Sequence, residues 1–171
     1  MKKITSVELT TGVNTQQIND VFSADFTLYK IVGVGIVGQN STATATNMRL
    51  VKASDASVED GTVYEYAIGN VKGENSFNDS VDTDDTRWWN TFGGSDDGGR
   101  PGNGVIYIAN PFQAFSTAIT WEAVEYNNNL HRSRWGIGRI QNTTSYDGFV
   151  VDMNESASRI GGGKLVVFGV I

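Results

Sequence analysis

The amino-acid sequence predicts an all-β protein, an antiparallel two-sheet β-sandwich, and three observations carry that prediction. Short runs rich in β-branched and aromatic residues recur along the chain, separated by turns rich in Gly, Asn, Asp and Ser. No segment carries the apolar stripe of an amphipathic helix three turns long. The last stretch, Lys164 to Ile171, is apolar on both faces: Leu165, Val167 and Ile171 point one way, Val166, Phe168 and Val170 the other. Such a strand lies inside a sheet, with one face on the core and the other under a second sheet, a loop or a neighbouring subunit. Chain ends fray unless docked, so an apolar run to the final residue predicts a docked end. Gly161, Gly162 and Gly163 supply the φ freedom of a tight entry turn before it.

The earlier elements follow in order. Ile4 to Leu9 alternates weakly, and Thr10 to Asp20 is polar and reads as an extended connection. Residues 1–25 are therefore expected as an N-terminal arm or short strand, and residues 26–171 as the sandwich domain. Phe26 to Gly38 is the first strong strand, and its glycines predict a bulge or close packing. Thr46 to Lys52 reads as half-buried, and Thr62 to Ile68 aligns Tyr64, Tyr66 and Ile68 on one side. From Val71 to Asn103 the pattern dissolves into Asn, Asp, Ser and Gly around Trp88, Trp89 and Phe92, which predicts a long loop around residues 71–103. Strands resume at Gly104 to Pro111, Ala118 to Tyr126, Trp135 to Ile140 and Asp147 to Met153 before the terminal one. No internal repeat is defensible.

Composition excludes several classes. A chain of 171 residues, 39 % hydrophobic and 11 % aromatic, suits one domain with a real core. Without cysteine there is no disulfide framework and no thiolate metal site, so stability comes from packing or assembly. A net charge of −6 argues against a nucleic-acid surface, which needs clustered Lys and Arg. Met1-Lys-Lys opens like a signal peptide, but Thr5, Ser6, Glu8 and Thr10 stand where its apolar region belongs. No apolar run approaches the roughly 20 residues of a membrane span. The expectation is a chain made without a secretion signal and without a membrane or nucleic-acid partner. The triplets at Asn40, Asn78, Asn142 and Asn154 are what chance supplies in a sequence this rich in Asn, Ser and Thr.

The constellations that suggest chemistry are thin. Gly33 to Gly38 matches the letters of a dinucleotide fingerprint, but the polar, β-branched stretch from Gln39 to Thr46 follows where a helix must begin. These read as packing glycines, and no cofactor is expected. His131, the one histidine, sits beside Arg132 and Arg134 without a serine elbow or further zinc ligands, and reads as an exposed or interface residue. Asp79, Asp82, Asp84, Asp85, Asp96 and Asp97 crowd the expected loop without EF-hand spacing, so they read as solvated rather than as a calcium site. Glu122 and Glu125 stand three apart on a strand and face opposite sides, so they do not flank one glycosidic bond; nothing supports pairing Asp152 with either. Trp88, Trp89 and Phe92 have three readings: a platform for sugar rings, interface anchors, or a loop folded back over its own aromatics.

The second half of the chain resembles a known class. A Gly-led strand ends in Asn-Pro (Gly104 to Pro111), a Trp-containing strand follows (Thr120-Trp121-Glu122), then an Arg-rich Gly turn (Arg132 to Arg139) and a Gly-Phe-Val-Val strand. The chain closes on Gly-Lys-Leu-Val-Val-Phe-Gly-Val-Ile. This resembles the small jelly-roll structural modules of tailed-bacteriophage virions, over roughly Phe26 to Ile171, with Phe168 where their last strand usually has Tyr. The resemblance implies a jelly-roll sandwich, commonly a homotrimer, serving as capsid decoration or cement, as a fibre or spike domain, or as a tail adaptor. It implies a non-enzymatic virion protein made in the host cytoplasm, with the major capsid protein or other virion proteins as partners. The alternative is a tail-fibre or tail-associated module that recognises host surface glycans. The candidate interface or ligand residues are Trp88, Trp89, Phe92, His131, Arg132, Arg134, Val166, Phe168 and Val170.

Overall fold

A computed structural model describes residues 1–39, 46–73, 76–94, 100–127, 130–153 and 159–171. These residues form two antiparallel sheets and no helix. The strands are β1 (Lys2–Glu8), β2 (Thr15–Ile18), β3 (Leu28–Gly38), β4 (Thr46–Lys52), β5 (Tyr64–Lys72), β6 (Ser76–Asp85), β7 (Trp88–Phe92), β8 (Gly102–Ala109), β9 (Ala118–Asn127), β10 (Leu130–Ile140), β11 (Tyr146–Met153) and β12 (Ile160–Val170). One sheet runs β1-β12-β3-β8-β9-β10-β5-β6 and the other β2-β11-β4-β7. The all-β sandwich expected from the sequence is the fold.

The order has a simple origin. Pairing β1 with β12, β2 with β11, β3 with β8 and β4 with β7 is the pairing of one long hairpin wrapped across both sheets. Two further hairpins, β5–β6 and β9–β10, join each other through β10 and β5, and β9 attaches them to β8. They widen one sheet to eight strands while the other stays at four.

The core fills the space between the sheets by period-two alternation. Tyr29 and Ile31 on β3, Ile106 and Ile108 on β8, and Leu165 and Val167 on β12 face Met48, Leu50, Phe149 and Val151 of the smaller sheet. Trp88 is fully buried, edge-on to Tyr64 at 5.0 Å, and its indole N–H donates to the Glu65 carbonyl at 3.3 Å. The Trp121 ring lies where a Cβ at Gly136 would come within 2.1 Å of it, so only glycine fits there.

One pair of alternatives is decided and three expectations need correcting. Of the arm and the short strand expected for residues 1–25, the strand is what forms: β1 pairs with β12, β2 with β11, and Val21 and Phe22 are buried. Phe22 packs on Tyr29 and Phe149, with ring centroids 4.8 and 6.0 Å away. Only two short apolar patches are needed to dock such a stretch, too little to stand out in a polar sequence. The region 71–103 is not one long loop, for it holds β6 and β7. The edge strand β6 alternates Phe77, Asp79 and Val81 with Asn78, Ser80 and Asp82, and an edge open to water tolerates that polarity. Arg132 to Arg139 is not a turn but the body of β10. Gly161, Gly162 and Gly163 lie inside β12, where the register with β3 shifts twice and Gly162 and Gly163 have φ of 151° and 127°. By contrast the bulge expected among the glycines of β3 is present, between Gly33 and Ile36, with Gly35 at φ 67°.

Trp88→Ala is expected to cost about 3–5 kcal/mol, because it empties the largest buried site and leaves the Glu65 carbonyl without its donor. Chemical denaturation monitored by circular dichroism measures it.

Candidate functional site

The structure separates the residues singled out in the sequence. Trp88 and Phe92 are fully buried in the core, so neither is a sugar platform or an interface anchor. Trp89 points the other way along β7 and is half-buried; its indole N–H donates to the Asp85 carboxylate, and the Arg87 guanidinium lies 5.3 Å from its ring. Arg132 and Arg134 are spoken for as well: both close on the buried Glu125, at 3.6 and 2.6 Å. His131 is exposed at the end of β10, edge-on to Tyr126 at 5.0 Å. Val166, Phe168 and Val170 line one side of β12 and remain partly exposed.

Three buried carboxylates hold the framework together. Asp152 on β11 accepts from Asn47 and bridges Arg49 at 3.0 Å and Arg87 at 3.1 Å, tying β11, β4 and the entry to β7. Glu125 ties β9 to β10 through its two arginines. Glu59, in the connection after β4, takes Lys52 at 3.5 Å and accepts from Tyr146 and Asn142 at 3.2 Å each. Burial pushes the Tyr146 and Tyr64 hydroxyls well above the ordinary tyrosine range, so both stay protonated as donors. Each carboxylate has several partners already, which is the arrangement of a latch rather than of a reacting acid or base. Glu122 faces solvent and Glu125 the interior, while Asp152 belongs to the other sheet, so the three do not meet. Among the described residues no group of three His, Cys, Asp or Glu converges as a metal site, and Asp96 and Asp97 lie outside those residues, as do Asn40 and Asn154.

What remains is a surface that the sequence reading approached only through β12: the outer face of the eight-stranded sheet. Its register can be followed residue by residue. One row runs Lys3, Phe168, Lys30, Tyr107, Thr120, Ile137, Ala67, Val81 from β1 to β6. The next runs Ser6, Val166, Val32, Val105, Glu122, Trp135, Gly69, Asp79. Flanking rows add Val34, Val124, Val71 and Phe77, with Lys164, Asn103 and Ser133 between them, on one side, and Val170, Leu28, Ala109 and Ala118, followed by Arg139 and Glu65, on the other. Val124 is 52 % exposed, Ile137 61 % and Val81 71 %. Monomers rarely leave an apolar area of that extent open, and larger ones mark interaction sites.

Trp135 stands in the second row of this face, on the sixth of its eight strands. Its indole lies over Gly69, where a Cβ would come within 2.7 Å of the ring, and Phe77 packs beside it at 5.9 Å. Glu122 and Asp79 flank it in the same row. Shallow depressions of about 520 and 530 Å³ open on either side, floored by Val105 and Glu122. The connection after β4 pairs back beside that strand in the smaller sheet, Val58 bridging the buried Val51 and the Glu59 N–H donating to the Leu50 carbonyl. Sequence pattern signalled the apolar outward positions on β12, but not that eight strands would align them with others. No protein-family model matches the chain, and no curated protein or solved structure is significantly similar to it.

Removing the shared acceptor of the smaller sheet's latch strands two arginines, so Asp152→Ala is expected to destabilise by roughly 3 kcal/mol in urea titration. A second prediction concerns pH. Burial, and next the Asp20 carboxylate, raise the Asp147 carboxyl above its usual range, and its Oδ1 has no hydrogen-bond partner. A raised folded pKa means the native state holds the proton more tightly, so the favourable contribution exists at low pH and is lost as pH rises through the folded value. Asp147→Asn is therefore expected to melt above the parent at pH 7, with the gain shrinking towards pH ~4, as differential scanning calorimetry across that range will record.

Proposed function

We propose that this chain is a non-enzymatic structural protein of a tailed-bacteriophage virion, a decoration or cement protein on the outside of the head. The observation that carries the reading is the nested pairing of β1 with β12, β2 with β11, β3 with β8 and β4 with β7. Read as a jelly roll, it is a hairpin wrapped over two sheets, with β5–β6 and β9–β10 as insertions. The broad apolar outer face supports a protein that works by covering and being covered. In this reading its partners are the major capsid protein and copies of itself, it takes no cofactor, and it reaches the virion from the host cytoplasm.

A second reading, a tail-fibre or tail-associated module for host surface glycans, draws on Trp135. An exposed indole between two carboxylates, Glu122 and Asp79, offers a stacking surface for a sugar ring and acceptors for its hydroxyls. Co-sedimentation of the purified protein with empty phage heads decides between them. Saturable binding to heads, with no retention on host polysaccharide, is the expected result. Retention on polysaccharide that Trp135→Ala abolishes, without head binding, replaces the first reading with the second.

A further inference from the structure

We propose that the outer face of the eight-stranded sheet is covered by the same face of a second copy of this chain, the two related by a twofold axis running along the strands between β8 and β9. This rests on the assembly reading of that face and not on the phage assignment. Eight strands about 4.8 Å apart make a face about 38 Å wide, and outward residues in three to four rows give it a height of about 20 Å. The product is close to the roughly 800 Å² per partner of a stable interface.

The two central rows of the face match themselves under that operation. The axis lays β1 over β6, β12 over β5, β3 over β10 and β8 over β9. Lys3 and Lys30, the latter 5.5 Å from its own Tyr107 ring, lie on the β1–β3 flank, and the carboxylates Glu122 and Asp79 on the β9–β6 flank. None of the four has an ion-pair partner among the described residues. The operation brings each flank onto its opposite, with Lys3 over the partner's Val81, one row from Asp79, and Lys30 over the partner's Ile137, one row and one strand from Glu122. Shape follows the same rule: Val166 and Phe168, the bulk of β12, come over Gly69 and Ala67, the small outward residues of β5. An in-plane axis across the strands would instead set Lys3 on its own flank and leave both carboxylates unmatched.

A threefold ring fits less well. Three sheets about 38 Å wide, arranged as a triangular prism, stand about 11 Å from the axis, whereas packed sheets are about 10 Å apart and so reach only half that each. The apolar centre of the face would line a channel. The twofold sandwich closes it.

Light scattering tests the proposal on the whole chain. The expected mass is twice the 18.5 kDa of the chain. Ile137→Lys, close to the axis, is expected to yield a monomer with unchanged circular dichroism and melting behaviour. Lys30→Glu and Glu122→Lys are each expected to weaken association by about tenfold, and the double variant to regain most of it, a recovery that a merely misfolded face would not produce. A monomeric parent at micromolar concentration, a trimeric mass, or a dimer indifferent to Ile137→Lys overturns the proposal. A dimer that ignores phage heads removes the virion reading and leaves this interface standing; a monomer that binds heads does the reverse.

Discussion

The constraint on which the rest depends is a mismatch of widths: eight strands lie on one side of the core and four on the other. Sheets gain their stability by burying a face, at about 25 cal/mol for each Å² of apolar surface removed from water. The inner face of the wide sheet is served by the narrow sheet, by β7 reaching across to the inserted hairpins, and by Trp88 and Trp121 filling the gap between. Among the described residues no strand lies over the outer face, and β12 is apolar on both sides because it carries core residues on one side and part of that face on the other.

The buried charges follow from the same geometry. Inward positions of the wide sheet are not all apolar at the margin where β9 ends and β10 begins. Glu125, Arg132 and Arg134 occupy that margin and satisfy one another. Asp152 does the same on the outward side of the small sheet, fixing β11 against β4 and β7. A one-residue slip of either strand would strand these charges, so the latches specify register more than they add stability. Acidic and basic residues that look like chemistry in one dimension are thereby used up as structure.

Three buried carboxylates are committed to latches, and the open face of the wide sheet carries rows of apolar residues. That is the common ground of the decoration and fibre readings, which differ only in what meets the face. Trp135 is the residue on which they diverge, since self-association would bury it and glycan recognition would need it open.

Local pattern determined the class of fold, most of the strands and the unusual two-sided character of β12, because alternation with period two reports which faces of a strand avoid water. It also placed Glu122 and Glu125 on opposite sides of β9. The same pattern failed at β6, where an edge strand needs no apolar alternation, and at residues 1–25, where the scattered buried residues Leu9, Ile18, Val21 and Phe22 dock a mostly polar segment. It could not tell whether Trp88, Trp89 and Phe92 served a ligand, an interface or the core, since that depends on which elements lie across from β7. Only the tertiary structure decided it, by setting β7 over the inserted hairpins. The outer face was likewise a tertiary product: Phe168, Tyr107, Ile137 and Val81 are far apart in sequence, and only the register of eight strands brings them into one row.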